Sequence, residues 1–401
     1  MIVWQRIFFV FLLQYLLVAC CQFAWAQPSP ADAERSVLTH PSFFVDVHRA
    51  ERIPAAAVIA HEYLYYSEYA PQGIPFLRRL GRNVWAVPLV RPAEKPILVL
   101  EHECIVKLEP GPNGLLVHVR DRDPSNASVD RLLSVTREPG GGFSVSRAFP
   151  SILGERRQGI GRARLAFALR PSETALLEWF GVVEDKLFWF VGGLGDGANR
   201  FVLFDIFQAS GGRPLRREMG RQDQAGWFSS FVTNGSFVFM GYDGNHSIAG
   251  QPLGRLLVGR VEQNTVTDLR LVGHPTLLPQ GAWTSLPAET PADDSSRPRI
   301  GIRYPRHLSA SPHGLIGVDA TPVDSESQNV FYYAPSSRMF YRVSHLSNDL
   351  RRITGLSFYL GGMVVADDSD EHIIRWYGTR SPFPATFTPR NLADIRPRGG
   401  S

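Results

Sequence analysis

The sequence predicts an all-β chain of repeated antiparallel hairpins, the pattern of a β-propeller. Three observations lead there. Four stretches share one plan: a short apolar strand, a tight polar turn and a returning strand. Gly (36 residues) and Pro (30) are frequent enough to punctuate many short strands. No stretch carries the apolar spacing of a long amphipathic helix. The best short helical candidate, Ser172–Trp179, reads equally well as the lead-in to a strand.

Taken in order, the chain begins with Arg6 ahead of the apolar run Ile7–Leu13, continued through Leu16–Cys20. Ala24-Trp25-Ala26 then offers small residues at the two positions that a signal peptidase reads. Residues 1–26 are therefore expected to be a secretory signal peptide cleaved after Ala26. The run ends too abruptly to favour stable membrane insertion. Leu17-Val18-Ala19-Cys20 also fits a bacterial lipoprotein box with Cys20 lipidated. Cleavage after Ala26 removes Cys20 and Cys21 and leaves Cys104, so no internal disulfide is expected. Cys104 lies in the strand-like run Leu98–Val106 and reads as a buried thiol rather than a nucleophile.

Residues 27–54 read as a polar lead-in ending in a first strand, 55–395 as one propeller domain, and 396–401 as an irregular tail within a stretch rich in Pro and Arg from Ser381. The predicted hairpins are Asn83–Pro88 with Ile97–Leu100, Lys186–Gly192 with Arg200–Asp205, Ser236–Asp243 with Gly254–Val258, and Asn329–Tyr333 with Arg338–Val343. Ser285–Arg299 reads as an exposed Pro-rich connector. Asn126, Asn234 and Asn245 each open an Asn-x-Ser sequon, and are candidate glycan sites on turns.

Hydrophobic residues make up 44% and charged residues 20%, which excludes a disordered chain. The net charge is +4, but the basic residues are scattered, and the lysines are confined to Lys95, Lys107 and Lys186. A nucleic-acid partner needs local density that is missing here. Gly192–Gly197 has the look of a phosphate loop, but Arg200–Phe204 after it is a strand, so it reads as a hairpin turn. Asp367–Glu371 lacks the bend glycine of a calcium loop and reads as a charged turn. No His-x-x-x-His or Cys-x-x-Cys spacing occurs, so neither a metal site nor a cofactor is expected. No Gly-x-Ser-x-Gly elbow occurs either, and no catalytic residue is assigned. Trp85, Phe188, Trp189, Phe190, Tyr332, Tyr333, Tyr359 and Trp376 lie on predicted strands and are expected between sheets. Tyr242 beside Asp243 pairs an aromatic face with a carboxylate, which suits an amine; Asp319 precedes a comparable strand. These three are the candidate ligand-binding residues.

In order along the chain, these segments resemble the yellow / major royal jelly protein family. Pro71-Gln72-Gly73 with Arg82–Pro88 is similar to its first blade. Lys186–Val191 with Phe201–Asp205 is similar to its "L-W-V-L-D … L-V-V-F-D-L" hairpin, and Phe237–Asp243 with Leu256–Val258 to the blade after it. Gly317–Val323 with Val330–Ser337 resembles "G-x-A-L-S-P … L-Y-Y-x-P-L-x-S", the most specific match. Ile374–Trp376 with Phe383–Leu392 resembles "C-W … P-Y-x-P-E-N". The resemblance implies a secreted, extracellular six-bladed propeller with a pocket at the channel mouth for a small aromatic amine or catechol-derived ligand, in pigmentation or extracellular signalling. It also admits a dopachrome-converting enzyme. A different propeller class, a metal-dependent lactonase-like protein or a bacterial surface lipoprotein, stays open. The chain departs from the family in lacking its propeller cysteines and in stopping at Ser401, before a further family strand. The last blade is thus expected to be incomplete unless an N-terminal strand completes it.

Overall fold

A computed structural model describes residues 28–69, 81–91, 94–122, 128–149, 175–184, 186–194, 200–208, 214–222, 226–248, 251–263, 265–272, 298–299, 305–319, 329–343, 346, 353–368 and 371–392. The expected signal peptide, Cys20, Asn126, Pro71–Gly73 and the tail 396–401 lie outside these residues. The lead-in holds a helix that the sequence reading did not anticipate, α1 (Pro30–Thr39). Its start follows ordinary capping chemistry. Ser29 Oγ accepts from the Asp32 N–H at 3.1 Å, Pro30 sits in the first turn where no N–H is needed, and Asp32 faces the positive helix end. β1 (Phe43–Arg49) follows.

The remaining strands form successive antiparallel meanders. They are β2 (Pro54–Ala60), β3 (Tyr63–Tyr69), β4 (Gly81–Pro88) and β5 (Ile97–Leu100); β6 (Ile105–Gly111), β7 (Gly114–Arg122), β8 (Ser128–Arg137) and β9 (Phe143–Arg147); β10 (Ala175–Val183), β11 (Lys186–Leu194), β12 (Arg200–Gln208) and β13 (Pro214–Gln222). Then come β14 (Gly226–Thr233), β15 (Phe237–Ile248), β16 (Gln251–Glu262) and β17 (Thr265–Val272); β18 (Pro298–Arg299), β19 (Pro305–Ala310), β20 (Leu315–Asp319), β21 (Asn329–Ala334) and β22 (Met339–Arg342); and β23 (Ile353–Tyr359), β24 (Gly362–Asp367), β25 (Ile373–Gly378) and β26 (Arg390–Asn391). One sheet is formally eight-stranded, but its two meanders meet at a single bridge, Gly81 to Ile105. The fold is therefore a six-bladed propeller, blades 1 to 6 in chain order. The four predicted hairpins are β4/β5, β11/β12, β15/β16 and β21/β22. Ala175–Trp179 of the helical candidate is strand.

The inner strands, β2, β6, β10, β14, β19 and β23, run in one direction around the ring. Ser357 Oγ donates to Ala57 O at 2.7 Å, and Thr354 Oγ1 to Pro54 O. Phe358 N donates to Ser309 Oγ at 2.9 Å, and Asn234 Nδ2 to Ser311 O at 3.0 Å, tying blade ends of like depth. Apolar side chains fill the wedges between blades. Val364, Ala366 and Trp376 of blade 6 pack on Ala57, Ile59, Leu64 and Tyr66 of blade 1. Val58, Tyr65 and Val84 of blade 1 meet Leu115, Val117 and Val135 of blade 2.

The last blade is complete. β1 pairs with β25 as its outer strand, Val45 opposite Trp376 and Phe43 opposite Gly378. The anticipated N-terminal strand thus closes the ring, and the propeller takes in residues assigned to the lead-in. Arg375 Nε donates to Asp46 Oδ1 at 2.6 Å across this pair, and the Arg375 guanidinium lies over Phe44, 5.0 Å from the ring centre. Within the described part of the Pro- and Arg-rich stretch, Phe387 is buried beside Trp376, and β26 adds outside β1.

Blade packing at the seam leaves no room for added atoms. A Cβ on Gly355 of β23 would lie 2.8 Å from Ala56 Cα of β2, a backbone atom that cannot swing away. Gly355→Ala is expected to cost about 1–3 kcal/mol in denaturant unfolding. Gly140→Ala, where nothing lies within 4 Å, should leave the midpoint nearly unchanged. Equal midpoints for the two variants would contradict this packing.

Candidate functional site in the central channel

Each inner strand has one sheet neighbour, so its other edge presents N–H and C=O groups to the channel. Lys107 of β6 answers two of them. Its ammonium donates to Phe231 O of β14 at 2.6 Å, to Phe180 O of β10 at 3.3 Å, and to the Glu109 carboxylate. Three protons thus meet three acceptors on blades 2, 3 and 4. A register shift between Ile105 and Lys107 re-aims the side chain. Lys107 is 14% exposed and Glu109 19%, so the pair is nearly enclosed. Burial pushes the Lys107 ammonium down and the Glu109 carboxyl up, with their mutual attraction opposing both shifts.

The same face of blade 2 continues outward in charge. Lys107 lies opposite His118 of β7, and Arg120 lies opposite Asp130 of β8. Arg120 forks onto Asp130, Nε to Oδ1 at 2.7 Å and Nη2 to Oδ2 at 3.2 Å; His118 Nε2 is 3.2 Å from Oδ1. Phe180 of blade 3 covers His118 edge-on at 5.0 Å. Burial lowers the His118 pKa, with Asp130 opposing. Burial pushes Asp130 up, but His118 and Arg120 together hold its carboxyl below the usual range. With neutral His118 the line Glu109, Lys107, His118, Arg120, Asp130 balances its charges, as a buried set must. Its chemistry is to fix blades 2, 3 and 4 around the channel. The lysine has no proton to spare for a ligand.

The candidate residues read from the sequence lie elsewhere. Asp243 ends near Trp227 at the start of β14, and Asp319 ends opposite Pro305 at the start of β19. Both therefore stand at the channel mouth where inner strands begin, on adjacent blades 4 and 5. Tyr242 precedes Asp243 on β15, opposite Phe228. Glu68, opposite Pro54, and Asp367, opposite Ile353, occupy the same level on blades 1 and 6. Glu68 faces Arg52 and Arg82, each at 3.6 Å.

Asn234 binds its own turn, Oδ1 accepting from Phe237 N at 2.9 Å, while Nδ2, the atom that a glycan would take, donates to blade 5. Asn245 lies within β15 rather than on a turn. Cys104 is half-buried, not buried, in the link between β5 and β6, where its N–H donates to His102 Nδ1 at 3.0 Å. The ionic line on blade 2 escaped the sequence reading. Its signal was present: Lys107 and Glu109 alternate with Val106 and Leu108, and His118 and Arg120 with Val117 and Val119, in strands buried on both faces.

No protein-family profile matches the chain, and no curated protein matches it. Among solved structures, it is similar to a glucose dehydrogenase at 8% identity and a TM-score of 0.44, covering 84% of this chain and 99% of that one. It is similar to the β-propeller domain of the Trilobed protease from Pyrococcus furiosus at 8% identity and 0.41, covering 86% and 85%. It is also similar to Kuenenia stuttgartiensis hydrazine synthase at 10% identity and 0.40, covering 82% and 84%.

Removing one member of the channel pair leaves its partner enclosed and unpaired. Lys107→Met is expected to cost about 3–5 kcal/mol in urea unfolding at neutral pH, and adding Glu109→Leu to return a substantial part of it. Additive losses in the double variant would show that the two side chains act independently.

Proposed function

We propose that the protein is a secreted binding propeller of the yellow / major royal jelly type, holding a small aromatic amine or catechol-derived cation at the channel mouth. The observation that carries this reading is the backbone register that sets Asp243 and Asp319 at the same level on neighbouring blades, where their inner strands begin. Carboxylates suit an ammonium group, and an aromatic face suits both its charge and a flat ring. Lys107 supports a mouth site rather than a deeper one, because its ammonium bridges inner strands of three blades within the channel. The apolar run and small residues of 1–26 support export.

Calorimetric titration of the purified protein with dopamine, serotonin and histamine tests the reading. Micromolar binding is expected, weakened about tenfold or more, ~1.4 kcal/mol, by Asp243→Asn or Asp319→Asn. Turnover of dopachrome without amine binding would move the assignment to an enzyme. Silence in both assays would overturn the amine reading.

A further inference from the structure

Ring closure rests on β1, and β1 carries one imidazole. The register of β1 against β25 breaks between Asp46 and His48, a bulge that turns His48 toward blade 1. There its ring packs on Tyr66 of β3, centres 5.3 Å apart and planes at 34°. Its Nε2 is buried with no hydrogen-bond partner. We propose that His48 is an acid-sensitive latch, whose protonation loosens β1 from blades 6 and 1 and opens the propeller at its seam.

A neutral ring tolerates this place, because one uncharged nitrogen without a partner costs little beside the aromatic contact. An imidazolium carries a second N–H and a full charge into the same apolar wedge. The carboxylates nearby are engaged. Asp46, on the same strand, holds Arg375 of β25 at 2.6 Å and Arg390 at 3.7 Å. Glu68 of β3 faces Arg52 and Arg82, and Glu371 before β25 faces Arg49 of β1 at 3.3 Å. Burial raises the pKa of the Tyr66 hydroxyl, and Glu68 and then Glu51, in the turn after β1, raise it further. His372 lies at the start of β25, where its carbonyl accepts from Ala50 N at 3.0 Å. Burial sets the direction for His48, lowering its pKa from the ordinary 6.5. The unfolded or undocked strand therefore binds the proton more readily. The seam is at full strength above that ordinary value, weakens as pH falls below it, and stops weakening once pH passes below the docked value. His118 has the same sign but sits inside blade 2 against Asp130, so its protonation would act on β7 and β8.

Hydrogen exchange of the full chain, read by region and corrected for intrinsic rates, separates the two. Between about pH 7.5 and about pH 5, peptides of β1 and β25 are expected to lose protection roughly tenfold, while those of β7 and β8 keep theirs. His48→Phe, which keeps a ring against Tyr66 but takes no proton, should abolish the acid effect at the seam. Should that variant not fold, His48→Gln serves the same comparison. The proposal is overturned by an unchanged seam in the natural chain at acid pH, by equal acid loss in the variant, or by loss that starts in β7 and β8.

Discussion

A ring of blades has to be closed by something, and here the antiparallel pairing of β1 with β25 closes it. β1 and β25 hold the ring, with Val45 set against Trp376 at the centre of the contact. Phe44, Val45 and Val47 are all buried there. At about 1.5–3 kcal/mol for each such side chain, their combined burial is comparable with the net stability of an ordinary domain, about 5–15 kcal/mol. The seam is therefore the element on which the cooperativity of the other blades rests. The polar anchors around it, Asp46 with Arg375 and Trp376 Nε1 donating to Tyr359 O at 3.0 Å, fix register more than they add energy. A one-residue slip of β1 would carry Phe44 to the face now held by Val45 and Val47, and those two to the face of Phe44.

The second constraint is the channel. Six inner strands bring six unpaired edges together, and a propeller must satisfy or hydrate them. Hydroxyls do this at the blade 6 seam, where Thr354 and Ser357 donate to the carbonyls of β2. On the opposite side a lysine does it. Lys107 pays the desolvation of an ammonium by collecting a carboxylate and two carbonyls at once, and its partner Glu109 shares the enclosure. The ionic line behind it, through His118 to Asp130 and Arg120, keeps that charge balanced without a route to solvent.

Much of the strand order was legible in the sequence because hairpins are local: alternating apolar residues and a turn suffice to mark β11/β12 or β21/β22. α1 was not, because its start is a capping arrangement at Ser29 and Pro30 rather than an apolar stripe. Closure was legible as a question, since the missing last strand called for a partner, but pairing Val45 with Trp376 spans nearly the whole chain and leaves no local mark. The sequence reading named Asp243 and Asp319 only as separate residues. Their common level on blades 4 and 5 came from register. The channel pair was missed because a charged residue in a strand reads as solvent-facing until both faces of the strand are known to be covered.

These two constraints divide the molecule by depth. Where the inner strands run side by side, Lys107 has its acceptors, and further out in blade 2 Asp130 of β8 has Arg120 and His118. Where the inner strands begin, register sets Glu68, Asp243, Asp319 and Asp367 of the second strands opposite the first or second residue of their neighbours. A carboxylate at this level can hold a cation from outside or be taken by a cation of the chain itself. Glu68 shows the alternative, an acid taken by Arg52 and Arg82. Lys107 reaches carbonyls further along the inner strands, Phe180 on β10 and Phe231 on β14, so the ammonium and these acids stand at different depths of the channel.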